Sequence, residues 1–220
     1  SDIVISSRMR LARNLKKYPF PIALTKEKSK EIVKEIESAS GEFDKLEDPR
    51  KALKLQLLED ISLIERQVLL EKHLISPNLL QNYEKGAVFL NHDESISIMI
   101  NEEDHIRIQC LLSGFQLDNA LKTANEMDDL LENKLEYAFD EQLGYLSSCP
   151  TNVGTGIRAS VMMHLPALTI TGYIDRILQA ATQIGLAVRG VYGEGTEFIG
   201  NMYQISNQIT LGQSEEEILQ

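Results

Sequence analysis

The arginines of this 220-residue chain are unevenly distributed, and their contexts suggest chemistry on an anion. Of nine arginines, three crowd the N-terminus, and three others are the only cationic side chains in residues 135–220. These are Arg8, Arg10 and Arg13, and Arg158, Arg176 and Arg189. A planar guanidinium holds phosphate or carboxylate through two parallel hydrogen bonds, so this selective use of arginine predicts oxyanion recognition. The alternative is that these arginines form ordinary surface salt bridges.

The segment Asn101–Arg107, with the sequence Asn-Glu-Glu-Asp-His-Ile-Arg, concentrates acid and base groups. In an extended backbone Glu103, His105 and Arg107 share one side, and Glu102 and Asp104 face the other side unless a turn intervenes. A carboxylate beside an arginine can orient a basic substrate or accept a proton while the arginine holds an anion. The alternative interpretation is a solvated polar turn.

Two glycine-rich segments, residues 148–160 and 189–197, are further candidates. In the first, glycines permit close backbone approach and exposed amides, and Arg158 adds charge at what we predict to be a helix start. The second passes from a strand end into a loop that carries Glu194. The first segment lacks the fingerprint of a Walker loop or of a dinucleotide site. Each is also compatible with a plain glycine-rich turn, and Cys149 with an inert small apolar residue.

Composition excludes several classes of protein. The formal charge of −11 argues against a dominant nucleic-acid or anionic-membrane surface, which needs a basic excess. Two cysteines cannot form a disulfide framework, and no apolar run approaches the ~18 residues of a spanning helix. A reducing, cytoplasmic location is therefore expected. No residues have zinc-ligand spacing, so we expect any metal to be Mg²⁺ brought by a nucleotide.

The elements that must position these residues follow from hydrophobic periodicity. Strands are predicted in residues 2–14, 87–91, 95–101, 105–112, 187–191 and 202–209. Helices are predicted in residues 26–38, 51–68, 77–83, 116–138 and 173–184, the first capped by Thr25. An extended N-terminal segment directs Arg8 and Arg10 to the same side. A meander beside runs of helices predicts an α+β fold with a mainly antiparallel sheet flanked by helices.

Four segments, in this order along the chain, resemble the motifs of the ATP:guanido phosphotransferase catalytic domain, the creatine and arginine kinase superfamily. They are Ser6-Ser7-Arg8-Met9-Arg10; Asn101-Glu102-Glu103-Asp104-His105-Ile106-Arg107; Cys149-Pro150-Thr151-Asn152 with Gly154-Thr155-Gly156-Ile157-Arg158-Ala159-Ser160; and Arg189-Gly190 with Gly193-Glu194. The resemblance spans residues 3–212 and implies the fold of this superfamily. Within the superfamily, the chain resembles the bacterial protein arginine kinases in particular, because its first arginine motif is not preceded by the N-terminal helical domain of small-molecule phosphagen kinases.

The resemblance implies an ATP site, with the arginines on the phosphates and His73 near the adenine or ribose. Its residues would be Ser6, Ser7, Arg8, Met9, Arg10, His73, Arg107, Arg158, Ala159, Ser160, Val161, Met162, Arg189, Gly190, Val191, Tyr192, Gly193 and Glu194. Three catalytic roles are implied too. Glu103 would orient the guanidinium and accept its proton, Glu194 would clamp the other side of that group, and Cys149 would lie close to the substrate nitrogen. Glu102 would help position hydrated Mg²⁺.

The expected activity is therefore transfer of the ATP γ-phosphoryl group to arginine side chains of proteins. A phosphagen kinase that acts on free arginine is the second hypothesis, and a catalytically silent module that binds arginine or phosphoarginine is the third. Intact Glu102, Glu103, Cys149 and Glu194 argue against the third.

The resemblance further implies a stress-response role in which labelled proteins go to Clp protease. A repressor of the CtsR type would be a substrate and a protein of the McsA type would be an activator; direct nucleic-acid or membrane contact is not expected. We also expect residues 1–220 to be one catalytic domain taken from a longer chain with a C-terminal domain.

Overall fold

The secondary structure is that of a computed structural model, which describes residues 3–46, 48–190 and 200–219. The strands are β1 Val4–Arg13, β2 Leu53–Leu57, β3 Ala87–Asn91, β4 Ile96–Ile100, β5 Ile106–Ser113, β6 Phe139–Asp140, β7 Gly144–Tyr145, β8 Ile157–His164, β9 Leu186–Arg189 and β10 Met202–Asn207. The helices are α1 Lys26–Ala39, α2 Leu63–Glu71, α3 Pro77–Gln81, α4 Leu117–Glu132, α5 Pro166–Ile170, α6 Ile174–Gln183 and α7 Glu215–Leu219. In these ranges no helix combines the length and the apolar character needed to cross a membrane.

Eight of these strands form one sheet in the order β2-β3-β4-β5-β1-β8-β10-β9, and β6 pairs with β7. Neighbouring strands of the large sheet are antiparallel. The predicted α+β fold with an antiparallel sheet flanked by helices is confirmed. The N-terminal strand β1 lies in the centre of this sheet, between β5 and β8, so the first arginine motif sits at the middle of the fold.

One face of the sheet carries the main core. Because side chains alternate along a strand, Met9 and Leu11 of β1 point to the same face, where both are completely buried. Helices α1 and α4 cover that face, and Ile32 and Met127 are among the buried residues that they contribute. As predicted, Thr25 caps α1, since its side chain accepts a hydrogen bond from the Lys28 amide.

Within the described ranges, the opposite face of the sheet carries its apolar cover along one side. There α2 and α3 pack against β3 and β4, and the buried residues Leu69, Leu79, Val88 and Met99 belong to a second, smaller apolar cluster. Beyond this cluster, the same face of β5, β1 and β8 bears polar and charged side chains. The two helices therefore form one wall of a cleft whose floor is the central part of the sheet.

The predicted helix over residues 51–68 is wrong in its first half. Residues 53–57 form β2, in which apolar and polar side chains alternate in exposure, and α2 begins only at Leu63. Its start is fixed by a capping box, because the Ser62 and Glu65 side chains each accept a hydrogen bond from the other residue's backbone amide. Leu53 and Leu57 are four residues apart, a separation that also fits a helix face, and Ile64, which this spacing places on the same apolar stripe, is 77% exposed.

Candidate functional site

Five arginines, carried by the four strands β1, β5, β8 and β9, lie on one face of the sheet. Residues paired across antiparallel strands share a face, and Arg10 pairs with Gln109 of β5 and with Arg158 of β8. Arg8 lies two residues from Arg10 and points the same way. We call the cleft lined by Arg8, Arg10, Arg107, Arg158 and Arg189 the cationic cleft.

Arg10 and Arg158 are directly opposite each other, an arrangement that normally destabilises a sheet because like charges repel. Burial lowers the pKa of Arg10 well below its usual value, and the charges of Arg8, Arg107 and Arg158 add to the effect. Its Nε atom is buried without a hydrogen-bond partner among the residues that the structure describes. A polyanion would supply both the missing acceptor and the compensating charge.

Arg8 shows the same electrostatic pattern. Burial, followed by the charges of Arg107, Arg158 and Arg189, lowers the pKa of Arg8 to about 10. Its Nε donates a long hydrogen bond of 3.4 Å to Ser160 Oγ. The cationic cleft is therefore a concentration of partly desolvated positive charge in a chain whose net charge is negative.

His73 is held over the wall of the cationic cleft by the end of α2. It has a left-handed backbone with φ of 59°, and the next residue, Leu74, donates its amide proton back to the Leu69 carbonyl. This is the reversal that glycine usually makes at a helix C-terminus, so a histidine there carries some backbone strain. Burial and the charge of Arg8 lower the pKa of His73, which favours a neutral imidazole.

The acidic cluster forms a tight turn between β4 and β5, which we call the acidic turn (residues 101–105). Asn101 adopts a left-handed backbone with φ of 57°, and its amide donates to the His105 carbonyl at 2.9 Å. Asparagine is one of the few residues that enter this conformation readily. The turn removes the strict alternation expected for an extended segment, and Glu102 and Glu103 both reach the same arginine.

That arginine is Arg107. Its Nη1 lies 2.8 Å from Glu102 Oε2, and its Nη2 lies 3.1 Å from Glu103 Oε2. The prediction that His105 shares this side is wrong, because His105 is completely buried. Its Nδ1 accepts from the Leu15 amide and its Nε2 contacts the Pro19 carbonyl, so the imidazole fastens the turn to the chain after β1.

Glu102 and Glu103 are in different environments. Glu102 is almost fully buried, and its oxygens accept from Ser76 Oγ and from the Glu103 amide as well as from Arg107. The side chain of Glu103 is 41% exposed, so a substrate can reach its carboxylate. Partial burial raises the pKa of Glu103, although Arg107 opposes that shift. Such a carboxylate is a better proton acceptor than an ordinary exposed glutamate.

Asp104 connects the acidic turn to the segment that carries Cys149. One carboxylate oxygen accepts from Asn14 Nδ2 at 2.6 Å and from the Ser148 amide at 2.7 Å, and the other accepts from Ser147 Oγ at 2.8 Å. Ser147 Oγ in turn accepts from the Cys149 amide at 3.2 Å. Asp104 is completely buried, so these donors take the place of water around it.

We expect Asp104→Asn to lower stability by about 1.5–3 kcal/mol, because an amide cannot replace a carboxylate as the acceptor of all these hydrogen bonds. The alkylation rate of Cys149 should also change, since its segment loses this attachment. Thermal unfolding and the rate of reaction with iodoacetamide measure the two effects. Asp129→Asn, at an exposed position of α4, serves as the control. An Asp104 variant with unchanged unfolding and thiol reactivity would contradict the assigned role.

The Cys149 segment is also connected to the cationic cleft. Cys149 Sγ lies 3.1 Å from Thr151 Oγ1, and Arg158 Nη2 donates to that same hydroxyl at 3.3 Å and to Asn152 Oδ1 at 3.4 Å. The second cysteine, Cys110, is buried in the core, where burial raises the pKa of its thiol to about 12. Cys149 is therefore the cysteine placed beside the charged groups.

Two expectations for the 148–160 segment need correction. Arg158 lies in strand β8 and not at a helix start. The glycines at 154 and 156, both with positive φ, permit close approach to the protein's own backbone: a Cβ on Gly156 would lie 2.7 Å from the Ala12 carbonyl oxygen, and one on Gly154 would lie 2.4 Å from that of Thr210. Gly156 allows the chain at the start of β8 to approach β1, and Gly154 allows the preceding loop to approach Thr210, so nothing requires either glycine to touch a phosphate.

The strand residues that the resemblance assigns to ATP lie on two different faces of the sheet, because side chains alternate along a strand. Ser6, Ser160 and Met162 share the face of the arginines and line a pocket with Arg8 and His73. The side chains of Ser7, Met9 and Ala159 are buried on the other strand face, and Val161 follows the same alternation. Gly190 is buried directly after β9. Val191, Tyr192, Gly193 and Glu194 lie outside the described residues.

Two glutamines in the cationic cleft were not singled out from the sequence. Gln109 and Gln204 are almost fully buried there, and Gln109 Nε2 donates to the His73 carbonyl at 2.8 Å. The alternation of Gln109 with Arg107 in β5 was the available signal. For Gln204 no local signal exists, because its place beside Arg189 depends on the pairing of β10 with β9.

Comparison with known proteins agrees with this geometry. Residues 31–220 match the family described as ATP:guanido phosphotransferase, C-terminal catalytic domain. A protein-arginine kinase of Brevibacillus brevis is 57% identical over 221 residues, which cover all of this chain and 61% of that protein. A protein-arginine kinase of Caldanaerobacter subterraneus is 52% identical over 227 residues, which cover all of this chain and 64% of that protein. The chain thus spans about six tenths of the length of these curated relatives.

Solved structures give the same result for the fold. A lombricine kinase superposes with a TM-score of 0.83 at 27% identity, covering 99% of this chain and 62% of that one. A duplicated taurocyamine kinase from Schistosoma mansoni, with bound transition-state analogue components, superposes with a TM-score of 0.84 at 27% identity, covering 99% of this chain and 31% of that one.

Proposed function

The chain belongs to the ATP:guanido phosphotransferase family, and from that premise we propose that the protein transfers the γ-phosphoryl group of ATP to arginine side chains of proteins. One observation carries the proposal: the structure brings five arginines onto one strand face beside a reachable carboxylate, Glu103. The first group suits a triphosphate and the second suits a guanidinium. The relatives named protein-arginine kinase support a protein-borne acceptor.

The cationic cleft fits a nucleotide triphosphate on electrostatic grounds. Mutual repulsion of the arginines is a cost in the empty protein, and a bound polyphosphate removes it while accepting their N–H groups. Arg10 Nε has no partner in the described structure and is one such donor. Phosphoryl transfer needs mainly alignment and charge neutralisation, and fixed arginines provide both.

The acceptor guanidinium is matched by the acidic turn. A guanidinium has a pKa above ~12 and is a poor nucleophile until it loses a proton. In the proposed reaction Glu103 holds the group, and the attacking nitrogen forms a bond to phosphorus while the bond from phosphorus to the ADP oxygen breaks. The proton of that nitrogen goes to Glu103, and the products are phosphoarginine and ADP. Glu194 and Cys149 keep their proposed roles, as clamp and as neighbour of the reacting nitrogen.

We propose Mg²⁺ as the accompanying ion, bound mainly by the ATP phosphates. In the described residues no group of three His, Cys, Asp or Glu side chains is placed to hold a metal. The oxygens of Glu102 already accept hydrogen bonds from Ser76 and from the Glu103 amide, so we expect Glu102 to act on the ion through water. The ion would neutralise phosphate charge during transfer.

The test is incubation of the protein with Mg-ATP and either an arginine-rich protein or free arginine. Products are detected by mass spectrometry under non-acidic conditions, because the P–N bond is acid-labile. We expect phosphorylated arginine on the protein, with loss of the signal when Glu103 is replaced by Gln. Label on free arginine alone would establish the second hypothesis, and label on neither acceptor would overturn the enzymatic proposal in favour of a silent binding module.

The cellular role is a further part of the proposal. We propose that the enzyme acts in the cytoplasm in the stress response and marks misfolded proteins for Clp protease. A repressor of the CtsR type would be a specific substrate and a protein of the McsA type an activator. These assignments rest on the family branch, and a C-terminal domain in the full-length protein is proposed on the same ground.

A further inference from the structure

A second cleft, here called the side cleft, adjoins the acidic turn. Its walls include the Pro21–Leu24 segment, Asn78 and Asn82, and the acidic turn itself, and Ser148 also lines it. Glu102 and Glu103 line the side cleft, whereas the arginines of the cationic cleft are absent from its described lining. Glu103 can therefore be approached from a direction that does not pass through the phosphate-binding groups.

The outer rim of the side cleft is apolar. Pro21 begins a short 3₁₀ helix, Pro21–Ala23, and Leu24 anchors its end in the core with 5% exposure. Between these residues, Ile22 is 96% exposed. A single exposed isoleucine is common on protein surfaces and by itself indicates nothing. Whether Ile22 contributes to ligand binding depends on the polar groups that line the rest of the side cleft.

Those polar groups include two buried atoms without partners. Asn101 is 4% exposed, and its Nδ2 donates to the Ser29 and Lys85 carbonyls, but its Oδ1 has no partner among the described residues. Ser148 Oγ is also buried and unpartnered there. Buried polar atoms normally have partners, so two orphans lining one cleft point to a ligand that supplies them.

The charge and hydrogen-bonding character of the side cleft selects the kind of ligand. Asn101 Oδ1 and the Glu103 carboxylate are acceptors, so the ligand must present N–H or O–H donors. The one cation in the described lining, Lys85, donates to the Leu24 carbonyl at 3.0 Å and so holds the wall together. A polypeptide with an arginine has backbone N–H groups, five guanidinium N–H donors and apolar neighbours for the rim.

We propose that the side cleft binds the polypeptide segment that flanks the target arginine, with an apolar side chain of that segment packed on Ile22. The proposal rests on the proposed function, because it takes Glu103 as the group that holds the guanidinium. Free arginine has no flanking segment. Contacts at Ile22 therefore contribute to recognition of a protein acceptor and not to recognition of the free amino acid.

The test compares Ile22→Asn with Ile64→Asn, a matched change at an isoleucine that is 77% exposed on α2 and outside both clefts. We expect Ile22→Asn to raise KM for an arginine-containing protein about tenfold, as for loss of a buried aliphatic contact. Its kcat should not change, nor should its KM for free arginine where that reaction is measurable. A fluorescent peptide with an arginine between apolar residues should lose affinity by a similar factor in anisotropy titrations.

The outcomes separate this inference from the proposed function. If the wild type phosphorylates proteins while Ile22→Asn keeps both the wild-type KM and the wild-type peptide affinity, the side cleft is not the docking site and the function stands. If the wild type phosphorylates nothing but its binding of the peptide depends on Ile22, the enzymatic function fails and the docking site stands. An equal loss of peptide affinity in Ile64→Asn would overturn the inference.

Discussion

Glu103→Gln is expected to lower kcat by about 10²–10⁴-fold while the protein remains folded and still binds ATP. The amide can keep a hydrogen bond to Arg107 but cannot accept the proton that the guanidinium must release. Glu103 is only half-buried, and its ion pair with Arg107 is one of two that Arg107 makes, so little stability is lost. Steady-state kinetics with Mg-ATP and an arginine-containing protein measure the effect.

The wild-type pH profile gives a second readout of the same residue. Reaction requires the carboxylate form of Glu103, and partial burial raises the pKa of this group. An ordinary glutamate has a pKa of ~4.3. On acidification, activity should therefore fall at a pH above that value. Glu141→Gln, an exposed control, should keep the wild-type profile and rate. A Glu103→Gln enzyme with wild-type turnover would show that another group takes the proton.

Arg10→Met is expected to stabilise the protein without nucleotide and to weaken ATP binding at the same time. The change removes a buried charge that faces Arg158 across the strand pair and retains an aliphatic side chain of similar length. Replacement of buried charges by apolar groups is often stabilising, and here we expect about 1 kcal/mol. Loss of one charge-assisted contact to phosphate should raise the Kd for ATP about 10–100-fold.

Denaturant unfolding without nucleotide and thermal unfolding over an ATP titration measure the two effects of Arg10→Met. Because ATP stabilises the fold by mass action, the variant should start with a higher Tm and gain less from a given ATP concentration. Arg176→Met, at an exposed position of α6, should change neither quantity. If the variant is less stable than the wild type without nucleotide, the charge of Arg10 is stabilised by the protein itself. That result would remove the electrostatic argument for a polyanion site.

Local patterns in the sequence were sufficient to predict the fold class and, through four ordered motifs, the family. Alternation along β1 predicted that Arg8 and Arg10 share one side, and the structure confirms this, with Met9 buried on the opposite face. Local signals of this kind are reliable because the side-chain period of a strand is fixed by backbone geometry. In residues 53–57 the apolar positions fit both the strand period and the helix period, so the sequence alone does not distinguish a strand from a helix there.

Contacts between distant segments of the chain determine which of these residues lie together. The turn at Asn101 brings Glu102 and Glu103 to the same arginine, although extended geometry would separate them, because its backbone hydrogen bonds reverse the chain. The link from Asp104 to the Cys149 segment joins residues 43 to 44 positions apart, and the opposition of Arg10 to Arg158 joins two distant strands. No local pattern contains such contacts, since they depend on strand order and register. The uneven distribution of arginines in the sequence predicted an anion site, and the strand order of the sheet determines which of these arginines share one face.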